Sequence, residues 1–413
     1  MKIWLINAYG NLPTEGWSEY RTTLMANALS EAGHEVVWWV SNFEHRSKKF
    51  RSEGWRDIHI NENFTIKIVP STSYLKHISF ARIKYERTFC HNLFYKIVEI
   101  NDRPDFIIVG EPALFTSDII SKIIKHLNTR IIIDIIDLWP ELFKIFLPNS
   151  LKRFDRLLFW PFYYRRSLFL KKADAVIAVS NDYLELGKKY SHAKFYETIY
   201  WGLNSKRLEK VYSNEQIDIE FTKYKIPSKK PTDFYLIYAG TLGENYDIST
   251  ILNVALNLKI KEQDNIKIII AGDGPLKNTI TNFILEHNLQ NIYFIGRINN
   301  EALHCIFSVC DLSLCSYVSN STVSMPIKFY DYISAGLPIL SSLNREIGSL
   351  ILKHNIGNLY TSENFLELEK KIIYLSNNRS IVNEMKLNTK NLAREFSYER
   401  QYQKIVNLIN KMN

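Results

Sequence analysis

Residues 235–258 read YLIYAGTLGENYDISTILNVALNL and hold, in one stretch, the unit from which the chain is built. Tyr235–Tyr238 predicts a short buried strand, Gly240-Thr241-Leu242-Gly243 a tight turn, and Ile248–Leu258 a helix, from the spacing of its apolar residues. The pattern repeats downstream. Strands are expected at Lys267–Ile270, Tyr293–Ile295, Leu312–Cys315 and Ile339–Ser341, alternating with helices at Leu276–His287, Glu301–Cys310 and Ile327–Ala335. Upstream, an equivalent series starts with Ile3–Asn7, a Gly-containing loop at Tyr9–Gly16 and a helix over Glu19–Ala32. It continues through strands at Val36–Val40, Phe106–Val109, Arg130–Ile136 and Ala175–Val179. Continuous β-branched runs separated by helical patterns predict parallel sheets covered on both faces. The polar, pattern-poor stretch Ser205–Pro231 separates the two series. The expected fold class is therefore α/β, with two doubly wound, Rossmann-like domains over residues 1–204 and 205–395 facing a cleft. A final helix, about 396–413, is expected to pack back on the first domain. In such folds the loops at the strand C-termini carry the ligands.

Composition narrows the function classes. The 413 residues include 12 Pro and 15 Gly, too few for a collagen-like or linker-rich chain. No apolar run approaches the roughly 18–20 residues of a transmembrane helix, and Met1–Ala8 lacks the basic and apolar regions of a signal peptide. Four cysteines suit a reducing compartment. Cys305, Cys310 and Cys315, with His304, recur too widely for a zinc site and read as small buried thiols. The net charge is +9, and the excess gathers between Lys144 and Lys172, where Lys152, Arg153, Arg156, Arg165 and Arg166 interleave with Phe154, Trp160, Tyr163 and Tyr164. Lys76–Lys96 repeats the style with Arg82, Tyr85 and Phe89. Such segments suit an anionic membrane surface; a helix with an aromatic core face and a solvated basic face is the alternative. Nucleic acid is not expected as a partner, because no binding motif accompanies the charge.

Several short motifs carry chemistry. Gly240-Thr241-Leu242-Gly243 and Ala271-Gly272-Asp273-Gly274-Pro275 each follow a strand, and their backbone amides can approach a phosphate because glycine adds no side chain. In Ser324-Met325-Pro326-Ile327-Lys328-Phe329-Tyr330-Asp331, Lys328 and Asp331 share one face of a short helix that ends at Gly336. A cation at a helix N-terminus opposes the helix dipole unless an anion joins it. Lys328 and nearby amides therefore suit phosphates and Asp331 vicinal hydroxyls, with a surface Lys–Asp pair as the alternative. In the first half, Asp137, followed by Trp139-Pro140, and Glu111 end strands where carboxylates could accept from sugar hydroxyls or could cap helices.

Taken in order, these segments resemble the retaining, GT-B-fold glycosyltransferases of the family 4 type, especially their bacterial surface-polysaccharide branch. The resemblance is carried by Asp137-Leu138-Trp139-Pro140-Glu141, Ala173–Ser180, Trp201–Asn204, Tyr238–Gly243, Ala271–Pro275, Phe294–Gly296 and Pro326–Tyr332. It implies transfer from a nucleotide-sugar, expected to be UDP-linked, onto a lipid-linked glycan or oligosaccharide acceptor, with no metal or other cofactor. It places catalysis at Asp137, Lys328 and Asp331. Gly240, Thr241, Leu242, Gly243, Gly272, Gly274, Arg297, Lys328 and Asp331 would bind the donor. Gly10, Gly16, Glu111, Asp137 and Trp139 would bind the acceptor. The expected location is cytoplasmic, peripheral on the inner face of the cell membrane. The chain departs from the pattern at Val323, where the first of two acids would stand, and at Thr241 and Tyr246, where many relatives carry Arg and Lys. Those departures motivate a second reading, a non-catalytic subunit that stabilises or guides a partner transferase.

Overall fold

The structure, a computed structural model, describes residues 1–15, 20–76, 79–100, 102–148 and 150–413. It divides into two compact units, Met1–Tyr200 with Glu399–Asn413, and Trp201–Tyr398. Each is a helix-covered sheet.

The first unit opens with β1 (Lys2–Ile6), α1 (Arg21–Glu31) and β2 (Glu35–Ser41). A small hairpin, β3 (Phe43–Glu44) and β4 (Lys49–Phe50), precedes β5 (Arg56–Asn61), β6 (Phe64–Val69) and the long helix α2 (Phe80–Glu99). Then β7 (Phe106–Glu111), α3 (Ser117–Leu127) and β8 (Arg130–Ile135) lead through α4 (Asp155–Leu158) and α5 (Trp160–Leu170) to β9 (Ala175–Ala178), α6 (Asn181–Tyr190) and β10 (Phe195–Thr198). The sheet order is β10-β9-β8-β7-β1-β2-β6-β5. β1 lies between β2 and β7, with Ile3 beside Val36 on one side and Phe106 on the other. Its apolar run is buried because helices cover both faces, as expected of a parallel sheet. The departure from the expected all-parallel sheet is β5, which pairs antiparallel with β6 at one edge. Its residues alternate exposed and half-buried, as an edge strand with one wet face requires.

A buried ion pair ties this unit together. Arg21 of α1 donates from Nε and Nη2 to the two carboxylate oxygens of Asp134 on β8, both at 2.8 Å, with the two side chains 0% and 1% exposed. Nη1 donates to the carbonyl of Ile199, just beyond β10. One guanidinium thus joins an early helix, a central strand and the end of the sheet. The terminal helix α15 (Tyr398–Met412) packs here too: Gln401 Oε1 accepts from the Tyr200 amide, and Lys404 donates to the Thr198 carbonyl at 2.9 Å.

The second unit begins with α7 (Asn214–Lys223), inside the segment whose sequence shows no clear pattern. A capping box explains it: Ser213 accepts from the Gln216 amide while the Gln216 side chain accepts from the Ser213 amide. Strands β11 (Phe234–Ala239), β12 (Ile266–Ala271), β13 (Ile292–Gly296), β14 (Leu312–Cys315), β15 (Ile339–Ser341) and β16 (Gly357–Leu359) alternate with helices from α8 (Ile248–Ile260) through α9 (Lys277–Glu286), α10 (Asn300–Val309) and α11 (Ile327–Ser334) to α12 (Glu346–Lys353). Helices α13 (Phe365–Asn377) and α14 (Arg379–Ala393) close the unit. All neighbours are parallel in the order β13-β12-β11-β14-β15-β16. Strand order reverses between β11 and β14, and in open α/β sheets the crevice at that reversal takes the ligand. In the first unit the reversal falls between β1 and β7.

The Arg21–Asp134 pair makes a stability prediction. Breaking it by Asp134→Ala strands a buried guanidinium and should cost about 3–5 kcal/mol. The double change Arg21→Met with Asp134→Leu should cost less than either single one. Urea unfolding followed by tryptophan fluorescence checks the order, since the first unit holds Trp4, Trp38 and Trp39 in its core.

Candidate functional site

In the second unit the site starts with backbone. The turns after β11 and β12 mesh: the Gly240 amide donates to the Ala271 carbonyl, the Leu242 amide to the Asp273 carbonyl, and the Leu276 amide to the Leu242 carbonyl. A Cβ on Gly272 would sit 1.9 Å from the Gly240 carbonyl oxygen, and one on Gly274 2.4 Å from that of Leu242. Both glycines also have φ near +155°, a region that side chains disfavour. Gly272 and Gly274 thus serve this close approach. Leu242 is fully buried in the core, so only its main chain faces the turn, whereas Thr241 is exposed and Gly243 half-buried.

Gly240 has a different neighbour. A Cβ there would lie 2.4 Å from Lys328 Cε and 2.6 Å from its Nζ. Lys328 is the second residue of α11, which starts after Pro326 and stops where Gly336 adopts φ +68°. Its side chain lies along the bare face of Gly240 and ends among three tyrosines, with Nζ 3.8 Å from the ring centre of Tyr246, 5.0 Å from Tyr238 and 5.2 Å from Tyr317. Tyr238 is in β11, Tyr246 follows it, and Tyr317 follows β14, so the ammonium stands where strand order reverses. Among the described residues no carboxylate lies within ion-pair distance of Nζ. Burial pushes its pKa down to about 8, against smaller opposing pulls from Cys315 and Asp331. Aromatic faces stabilise such a cation by about 0.5–2 kcal/mol each without neutralising it. Tyr246, where the resemblance expects a lysine, therefore cradles a lysine supplied from elsewhere; a second ammonium at that distance would repel the first.

Asp331 keeps 40% of its side chain in contact with water, yet the protein atoms crowding its carboxyl push its pKa up to about 6. Arg207, 3.6 Å away, and Lys328 pull it down by less. Arg297 is exposed at the end of β13 and forms no hydrogen bond or ion pair with Lys328 or Asp331. Val323 is half-buried and adds no charge.

In the first unit a cavity of about 300 Å³ opens at the ends of β1 and β7, lined by Asn7, Tyr9, Gly10, Arg82, Glu86, Glu111 and Asp137 among others. Glu111 is 3% exposed: Oε2 accepts from the Ala113 amide at 2.9 Å and Oε1 has no partner among the described residues, while burial pushes its pKa up to about 7. Asp137 has an exposed side chain at the rim, but the atoms around its carboxyl raise its pKa and Arg82 opposes this. Tyr9 donates to Glu86 at 2.5 Å, and Arg82 Nε donates to both, at 3.1 Å each. The Arg82 guanidinium also lies 4.8 Å from the centre of the Trp139 ring, which does not itself line the cavity. Gly10 fits close against Trp38 and Tyr20, where a Cβ would come within 2.8 and 2.9 Å. Gly16 lies outside the described residues.

From Phe80 onward the Lys76–Lys96 segment is α2, which turns Tyr85, Glu86 and Phe89 inward and Arg82 into the cavity while leaving Phe80, Lys84 and Tyr95 exposed. Tyr9, Arg82 and Glu86 had no local motif; only the spacing of Arg82 and Glu86, four apart on a helix, hinted that they work together.

Residues 220–395 match the family model of the glycosyl transferases group 1. The fold is that of the GT-B glycosyltransferases: sucrose-phosphate synthase from Thermosynechococcus elongatus superposes with a TM-score of 0.72 at 14% identity, covering 100% of this chain and 98% of that one. HepE of Anabaena in complex with UDP gives 0.67 at 12% identity, covering 100% of both. By sequence, chitobiosyldiphosphodolichol beta-mannosyltransferase of Debaryomyces hansenii is 32% identical over 98 residues, 23% of this chain and 21% of that protein. The chain spans well under two thirds of the length of the curated relatives it matches, 21% and 39% for the first two.

The buried ammonium predicts a pH dependence. Between about pH 8 and the ordinary lysine value of 10.5, the unfolded chain still holds the proton that folded Lys328 has released. Stability therefore rises with pH through that window, by at most about 1.4 kcal/mol per pH unit. Lys328→Met should lose this contribution. The difference between thermal melts of the two proteins at the ends of the window reads it directly, because the remaining titrating groups are common to both.

Proposed function

We propose that this protein is a glycosyltransferase that moves a sugar from a nucleotide-sugar, with UDP the expected nucleotide, onto a lipid-linked glycan acceptor in surface-polysaccharide assembly. The observation that carries the reading is Lys328: a buried ammonium with no carboxylate partner among the described residues, held against Gly240 at the strand-order reversal within residues 220–395, which match glycosyl transferases group 1. Such a charge lacks only an anion. Lys328 takes the diphosphate together with the Thr241 and Gly243 amides of the turn, since those of Gly240 and Leu242 already donate to carbonyls, and Asp331 accepts from the ribose hydroxyls. The acceptor sugar belongs to the first unit, where the unpartnered Glu111 Oε1 and Asp137 can each accept from a hydroxyl. In transfer, the bond from the anomeric carbon to the phosphate oxygen breaks, a bond to the acceptor oxygen forms, and the acceptor proton passes to the departing phosphate. The protein's part is to position the reactants and stabilise the charge that grows on the diphosphate. Retention of the anomeric configuration and independence of metal rest on the family resemblance, and product anomer analysis and activity in a chelator test them.

A membrane acceptor needs a membrane surface. Around α4 and α5 the exposed side chains include Leu157 (69%), Trp160 (58%) and Tyr164 (56%), beside the exposed Arg153, Arg156, Lys171 and Lys172. Arg166 is not among them; it is buried and bonds Glu141 through both Nη atoms. Exposed apolar rings flanked by cations fit an anionic lipid surface on the cytoplasmic face.

Two measurements test these assignments. Lys328→Ala should weaken UDP binding roughly ten- to a hundredfold, the worth of a charge-assisted contact, and should abolish UDP release from UDP-sugars in the presence of lipid extract. A protein that binds UDP and complements a deletion strain equally well with and without Lys328 would instead be the guiding subunit that Val323 and Tyr246 motivate. In vesicle co-sedimentation, Arg153→Ala with Arg156→Ala should lower partitioning to anionic vesicles by roughly thirtyfold, at about 1 kcal/mol per cation. Unchanged sedimentation would remove the membrane from the assignment.

A further inference from the structure

Beyond the C-terminal end of α11 lies a second recess of the same unit, about 310 Å³, lined by Lys206, Arg207, Lys210, His304, Ser334 and Lys390 among others. Its volume is at the lower end of the about 300–1,000 Å³ usual for small-ligand sites. Four cations line it against one acid, Glu301. Lys210 is paired with Glu301, and Arg207 stands 3.6 Å from Asp331, but Lys206 and Lys390 have no carboxylate partner among the described residues. Lys390 is also held in place. Its stem lies across Gly336, where a Cβ would come within 2.8 Å of both Cγ and Cε, so only a glycine lets it run over the end of α11. His304 is 9% exposed and packs edge-on against Phe307. Burial, with Arg207 and Lys210 nearby, pushes its pKa down to about 4, so it faces the recess as a neutral ring among cations. None of the lining side chains is a large exposed apolar one, unlike the surface of α4 and α5, which favours a soluble ligand over a lipid.

We propose that this recess is a second anion site, for a soluble phosphate-bearing ligand, and that Arg207 couples it to Asp331. An anion held by Lys206, Lys390 and Lys210 competes with Asp331 for the Arg207 guanidinium. Drawing Arg207 away leaves the Asp331 carboxylate without its counter-charge and freer to accept from hydroxyls. By linkage, a ligand that engages Asp331 strengthens anion binding in the recess by the same factor. The coupling rests on the reading of Asp331 as a hydroxyl acceptor; the anion site itself does not.

The test uses the full chain carrying Lys328→Ala, which removes the anion contact already assigned, with inorganic pyrophosphate as the probe. The His304 ring proton, identified by its loss in His304→Gln, reports binding locally by NMR. The expected result is a saturable shift in this background, with Lys206→Ala plus Lys390→Ala raising the apparent Kd at least tenfold. No saturable shift at millimolar pyrophosphate, or one that the double change leaves unaltered, overturns the site. For the coupling, uridine, which has the hydroxyls without the phosphates, is titrated with and without pyrophosphate. Its affinity should rise about fivefold or more, and Arg207→Ala should erase the rise. Uridine affinity indifferent to pyrophosphate overturns the coupling alone. Uridine that binds no variant overturns the coupling together with the reading of Asp331, while the NMR arm still decides the anion site.

Discussion

The meshing of two glycine turns is the constraint from which the second unit's site follows. Because the Gly272 and Gly274 backbones press against the carbonyls of Gly240 and Leu242, the end of β11 is fixed by main-chain contact. Only on such a fixed end can the bare α-carbon of Gly240 accept the stem of Lys328. The tyrosines then take up the charge that this close packing has stripped of water. The order of causes runs from backbone to side chain to electrostatics, and each step needs the one before it.

The two units apply one topology to opposite chemistry. Both put their distinctive residues where strand order reverses, as open parallel sheets do. In the second unit that position holds an ammonium in want of an anion. In the first it holds Glu86, Glu111 and Asp137, three acids whose carboxyls are all raised in pKa, with Arg82 set among them. The second unit thus offers a buried positive charge at the reversal, and the first a cavity lined by carboxyls.

Much of this was legible in the sequence because parallel strands announce themselves. Runs such as Phe106–Val109 or Leu312–Cys315 are apolar throughout, since both their faces are covered. Lys328 and Asp331 were legible because a cation in a first helical turn needs a reason to be there. The tyrosine cage was not: Tyr238 reads as an ordinary strand residue, and Tyr317 and Tyr246 come from different loops, brought together only by the reversal of strand order. The Tyr9–Arg82–Glu86 cluster escaped for the same reason, since Tyr9 Oη and Glu86 are joined across 77 residues of chain. Helix α7 escaped because its amphipathic signal is weak and its cap, not its apolar face, defines it. The edge strand β5 was hidden by its charged composition, Arg56-Asp57-Ile58-His59, which suits an exposed edge and looks like loop.

The lowered pKa of Lys328 has a thermochemical consequence. Near pH 8 about half of the chains hold that amine unprotonated. A phosphate bound beside it, as proposed above, would favour the charged form and draw a proton out of solution as it binds. Calorimetry would then record heats that vary with the ionisation enthalpy of the buffer, and affinity would fall as the medium turns alkaline even though the ligand's own charge no longer changes. A residue chosen for its shape against a glycine thereby makes the whole protein respond to the acidity of its surroundings.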